Sequence, residues 1–131
     1  NRISENHLGV LSDLGFVGIS RYKARKAALL HPMLAEVNTH VDPINWRGDR
    51  SVLPESDFLE MVTGHLAVRR QGKADPIEPT GLLTHHLVHD KLLSALTEHP
   101  AVRFVTIEGA LALIDDLPDE AFHKEAAQEL E

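Results

Sequence analysis

The chain has 131 residues, enough for one domain or part of one, with the 43% hydrophobic and 25% charged residues of an ordinary globular protein. A net charge of −7 argues against the basic footprint that nucleic acid demands, and no apolar run approaches the roughly 20 residues of a membrane span. The lack of cysteine excludes disulfides, a thiolate nucleophile and a Cys-ligated zinc.

Along the chain, Ser4 can cap a helix whose Leu8, Leu11 and Leu14 share one face, with Gly15 as its stop. FVGIS (16–20) then reads as a short buried strand. RYKARKAALL leads to a break at His31-Pro32, and its Arg21, Lys23, Arg25 and Lys26 read as a solvated face. EVNTHVD (36–42) is strand-like and ends at Pro43. After a loop, Pro54 suits the first turn of a helix, with Glu55 and Asp57 complementing its dipole and FLEMVTGHLAVRR carrying an apolar stripe. QGKADPIEPT is a polar turn region. LLTHHLV (82–88) is the next strand, DKLLSALTEH a short helix, VRFVTI (102–107) another strand, and a further helix runs from Glu108 to about Ile114. The fold expected is α/β, with about four mostly parallel strands alternating with helices over residues 1–114. Four strands are too few for a closed barrel. Residues 115–131 form an acidic, alanine-rich tail, helical or frayed.

Alternation along EVNTHVD puts Glu36, Asn38, His40 and Asp42 on one face and Val37, Thr39 and Val41 on the other. A face so polar belongs either to an edge strand with one wet side or to a site. Asp42 ends the strand, where ligands of α/β folds gather. The only tryptophan, Trp46, follows it, suited to loop packing or to stacking on a sugar ring. In GLLTHHLVHD, three of nine histidines crowd into five positions. His85 and His86 fall on opposite faces of a strand, so they do not readily bind one metal. A lone histidine at a strand end is most often structural, and beside that two functional readings stay open. His85 and His89 could form a zinc pair with a carboxylate such as Asp42 or Glu78, or one histidine could work as an acid oriented by Asp42. A G-x-S-x-G elbow, a phosphate loop and a dinucleotide fingerprint are all missing.

Taken in order, NRISENHLGVLSDLGFVGIS, VNTHVDPINWRG, EPTGLLTHHLVHD and HPAVRFV resemble the C-terminal half of polysaccharide deacetylases, the family of the chitin and peptidoglycan deacetylases. The resemblance spans residue 1 to about 114 and rests on the order and spacing of the motifs more than on any one of them. It implies part of a distorted (β/α) barrel and metal-dependent hydrolysis of N- or O-acetyl groups on a polysaccharide or oligosaccharide. Asp42 with Trp46 looks like the family's late aspartate–tryptophan motif, in which the aspartate tunes the catalytic histidine and the tryptophan walls the groove. Leu83-Thr84-His85 is similar to its leucine-x-histidine motif, whose histidine protonates the leaving amine. His86 stands where many members have Asp, so the assignment could shift by one position, and His40 and His86 are possible supporting residues. The family's metal triad and base belong to upstream motifs. No TFDDG occurs here, and no H-x-x-x-H precedes Asp42. The chain, which does not open on Met, is therefore expected to be a fragment that holds no metal itself and is inactive alone. The complete domain would take a divalent metal, zinc by analogy. Exposed sheet edges would favour self-association. The competing expectations are a carbohydrate-binding or assembly module without chemistry, and the autonomous zinc protein. The compartment is left open.

Overall fold

The computed structural model describes residues 3–31, 33–85 and 90–115. It is an α/β fold, with helices against a small mixed sheet. A 3-10 turn, Glu5–His7, runs into α1, Leu8–Asp13. Ser4 precedes the turn, but its side chain makes no capping bond. Gly15 stops the helix with φ at +84°, a left-handed conformation that costs glycine little. Its N–H reaches the Ser12 carbonyl and the Phe16 N–H reaches that of Leu11, which turns the chain directly into the sheet.

The sheet contains β1 (Gly18–Ile19), β2 (Leu29–His31) and β3 (Leu34–Glu36) in the order β1-β3-β2. β1 lies parallel to β3, with Gly18 opposite Ala35, and β2 lies antiparallel to it. Pairing continues beyond these short spans. Val37 N–H donates to Ile19, Thr39 to Arg21 and Lys23 to Thr39, which carries the parallel ladder along residues 17–23. On the opposite side Val41 bridges Leu82 in parallel, and Leu83 N–H donates to Val41 O. Residues 34–42 are thus central, with a neighbour on each side, and the wet edge strand is corrected. What makes the polar residues tolerable there is partnership, since every one of Glu36, Asn38, His40 and Asp42 is hydrogen-bonded.

Three longer helices complete the fold: α2 (Glu55–Arg70), α3 (Asp90–Thr97) and α4 (Ile107–Asp115). Pro54 stands directly before α2, which has Glu55 and Asp57 in its first turn and Arg69 and Arg70 in its last, as its dipole favours. Phe58 and Val62 of α2 bury Val41, with Leu82 and Leu96 packed alongside. Ala110 and Ile114 of α4 bury Ala35 and Val37. Each fully buried side chain of Phe58's kind contributes about 1.5–3 kcal/mol. At Gly18 a Cβ would lie 3.0 Å from Leu111 Cδ2, so the absence of a side chain lets α4 sit close to the sheet.

Two expectations about strands are corrected. Residues 102–106 form no strand and pair with none among the described residues, leaving Val102, Phe104 and Val105 exposed. Branched and aromatic residues favour a pleated surface only when a partner strand supplies the cross-strand contacts. Conversely, Leu29–His31, read as a lead-in to a break, pairs with β3. No helix among the described residues is long and apolar enough to cross a membrane.

Candidate functional site

Asp42 is the hub of the site. Its Oδ1 accepts the Ile44 N–H at 3.0 Å, an Asx turn that starts the loop after Pro43. A bridge between Ile44 and Val52 closes that loop into a hairpin, and the hairpin returns Trp46 towards the strand end. There the indole Nε1–H donates to Asp42 Oδ2 at 2.6 Å. From the neighbouring segment, His85 Nε2 lies 3.0 Å from Asp42 Oδ1. The Trp46 and His85 rings meet edge-on, with centroids 5.6 Å apart.

Burial pushes the Asp42 carboxyl up, but hydrogen bonds from Trp46, Ile44 and His85, together with the His85 charge, outweigh it and hold the group below the ordinary aspartate range. An ionised carboxylate only accepts, so the Nε2 facing it carries the ring proton. Nδ1 is then the nitrogen through which His85 can exchange a proton with a ligand. Asp42 is buried, the His85 side chain is 30% exposed and Trp46 is 57% exposed, so the hub is sheltered while its two rings reach solvent. The arrangement can hold an imidazolium in one orientation beside an aromatic wall.

A second polar cluster lies at the start of the same segment. Glu78 is 1% exposed. Its Oε1 accepts the Asn38 N–H at 2.9 Å, and its Oε2 accepts the Arg25 N–H and the His40 Nε2–H, both at 3.1 Å. Burial acts to raise the Glu78 carboxyl, yet these bonds hold it below the ordinary glutamate range. His40 Nδ1 accepts the Gly81 N–H at 2.9 Å. His65 of α2 stacks on His40 with centroids 3.9 Å apart, and its Nδ1 pairs with Thr80 Oγ1 at 2.9 Å. Burial, then the charges of His40 and Arg69, push His65 down to about 4, so its ring stays neutral near pH 7.

The structure thus joins Asp42, His85 and Trp46 and sets His40 apart from them. His40 was expected to share a face with Asp42. Instead it meets α2, the helix that also covers Val41, because the N–H groups of both His40 and Val41 converge on Gly81 O and interrupt the alternation there. His86 and His89 lie outside the described residues. Glu78, a possible zinc ligand by sequence, is committed to His40 and two backbone amides. Among the described residues no three His, Asp or Glu side chains are grouped to hold a metal ion.

The basic run is a solvated face only at Lys23 and Lys26, which are exposed. Arg25 is buried, its Nε bonding Asp75 at 2.7 Å and its Nη1 the Glu36 carbonyl at 2.6 Å, while Arg21 pairs with Glu36. His65 escaped the sequence reading although it falls three residues after Val62 and seven after Phe58, on the stripe that α2 buries. Compared with models of known protein families, with curated proteins and with solved structures, the chain matches none of them.

Proposed function

We propose that this chain carries the acid-bearing half of a metal-dependent carbohydrate deacetylase, as the resemblance of its motifs to that family implies. The observation that carries the reading is Asp42 bonding His85 and Trp46 at once. In the proposed reaction water adds to the acetyl carbonyl, and His85, protonated and oriented by Asp42, gives its proton to the sugar nitrogen as the amide C–N bond breaks, releasing acetate and the free amine. Trp46 offers its exposed ring as the wall on which the sugar lies. The fold assignment, a segment of a distorted (β/α) barrel, is supported by the parallel order of residues 17–23, 34–42 and 81–83. Helices α2 and α4 cover Val41 and Val37, while Asp42 and Asn38 hold polar partners.

The donor set here does not fit the implied metal. Both Asp42 oxygens are occupied by protein donors, and the described residues group no three ligands. Metal and base therefore belong, in this proposal, to motifs of the TFDDG and H-x-x-x-H type supplied by another segment. The test joins the chain to a deacetylase half carrying those motifs and measures acetate released from N-acetylglucosamine oligomers. Release that disappears in His85→Asn supports the proposal. A joined protein that binds zinc yet releases no acetate overturns it.

A second reading, a sugar-binding module without chemistry, is favoured by one observation, the 57% exposed Trp46 ring anchored through its own N–H. It expects oligosaccharide binding by this chain alone.

A further inference from the structure

We infer that His40 is a positioning residue for His85, an inference that rests on reading His85 as the working group of the site. Asp42 and His85 stand 43 residues apart, and they meet only if the segment beginning at Gly81 is held in one register against residues 34–42. A slip of one residue would turn every side chain of that segment to the opposite face and take His85 away from Asp42. The backbone ladder is thin there, consisting of Leu83 N–H to Val41 O and the pair of amides that converge on Gly81 O.

His40 supplies the missing specification. It holds Gly81 twice: its own N–H donates to Gly81 O at 2.8 Å, and its ring accepts the Gly81 N–H at 2.9 Å. Because a backbone N–H only donates, Nδ1 is the acceptor, so Nε2 carries the ring proton and points it at Glu78. Glu78 cannot yield, being fixed by the amides of Arg25 and Asn38. The His65 ring, stacked at 3.9 Å, closes one face of the imidazole and blocks its rotation. Gly81 completes the device. A Cβ there would collide with the Asn38 carbonyl and lie 2.9 Å from Thr39 Cα, so only glycine can approach closely enough to be held. The line of contacts runs from Glu78 through His40 to Gly81, along the segment to Leu83 on Val41, and ends at His85 on Asp42.

Two substitutions separate the two arms of His40. His40→Gln keeps a donor where Nε2 stood and loses the acceptor for Gly81. His40→Asn keeps an acceptor where Nδ1 stood and loses the bond to Glu78. The readouts are the ring ¹⁵N signals of His85 and the indole N–H of Trp46 in the full chain. Methyl signals of Val37 and Ile114, in the core cluster under α4, report general folding. The expected result is that His40→Gln moves the His85 and Trp46 signals, that His40→Asn restores them near their original positions, and that the methyls stay in place in both. Unmoved His85 and Trp46 signals in His40→Gln overturn the inference. So does an equal displacement in both variants, which would show that Gly81 is not what matters. Methyls that move as well, or a chain that no longer folds, would make His40 a general core residue and also overturn it. None of these readouts uses acetate release, so failure of the deacetylase proposal leaves the answer intact.

Discussion

The Nε2 of His85 lies 3.0 Å from Oδ1 of Asp42, and the other oxygen of the same carboxylate holds Trp46. One charge therefore orients both rings of the site. In Asp42→Asn a single carbonyl oxygen must replace two acceptors, and the amide nitrogen will face either the indole N–H or the Ile44 and His85 donors. In the joined protein acetate release should fall by about 10²-fold or more, the usual worth of an oriented proton donor. The dependence on substrate concentration should change little if Trp46 keeps its place. Steady-state rates at saturating and limiting oligomer separate the two effects.

Acid should destabilise the chain in two stages. His65 is pushed down to about 4 from 6.5, so between those values the unfolded chain takes up a proton that the folded chain refuses. Stability from this group is complete above about pH 6.5 and declines until about pH 4. The Asp42 and Glu78 carboxyls are lowered on folding. Their stability is present above the ordinary carboxylate range and is lost as pH falls through their lower folded values. His65→Phe, which keeps a ring over His40 and cannot titrate, should flatten the first stage and leave the second. Urea midpoints measured from pH 7 to pH 3 report both. A first stage unchanged in the variant would mean that His65 is not its source.

Glu78→Ala removes the acceptor for the Arg25 amide, the Asn38 amide and the His40 ring in one step. Leaving buried donors unpaired costs about 1–3 kcal/mol each, so a loss of about 3 kcal/mol or more is expected. That is a large share of the 5–15 kcal/mol typical of a domain. Denaturant unfolding measures it. A loss below about 1 kcal/mol would show that water replaces the carboxylate without strain.

The legible part of the molecule was written in short-range pattern. Phe58 and Val62 repeat at helical spacing, and Pro54, Glu55 and Asp57 mark the start of their helix, so α2 could be read directly. Asp42, at the end of an alternating stretch, and His85, two residues after Leu83, could be paired only by supposing that their segments are neighbours, and in the structure they are. What escaped depends on partners distant in sequence. Arg25 looks solvated until Asp75 and the Glu36 carbonyl are brought to it. His40 leaves its expected face because Gly81 takes two amides at once. VRFVTI has the residues of a strand, yet pairing needs a free neighbour that no local pattern reveals.

Trp46 offers a test that separates groove from hub. It is the only tryptophan, so its fluorescence reports from one position. Trp46→Phe keeps an aromatic wall but deletes the donor that lies 2.6 Å from Asp42, whereas Trp46→Ala deletes both. If the ring stacks on sugar, Phe should keep most of the affinity for N-acetylglucosamine oligomers and Ala should lose it, a difference of about 1 kcal/mol or more for a stacked ring. Loss of the indole bond should raise the Asp42 carboxyl in both variants, since that bond is among the forces holding it down. Calorimetry gives the affinities, and carboxyl ¹³C titration follows Asp42. Equal affinities in Phe and Ala would remove Trp46 from the groove. A raised Asp42 in both would still keep it as a strut of the hub.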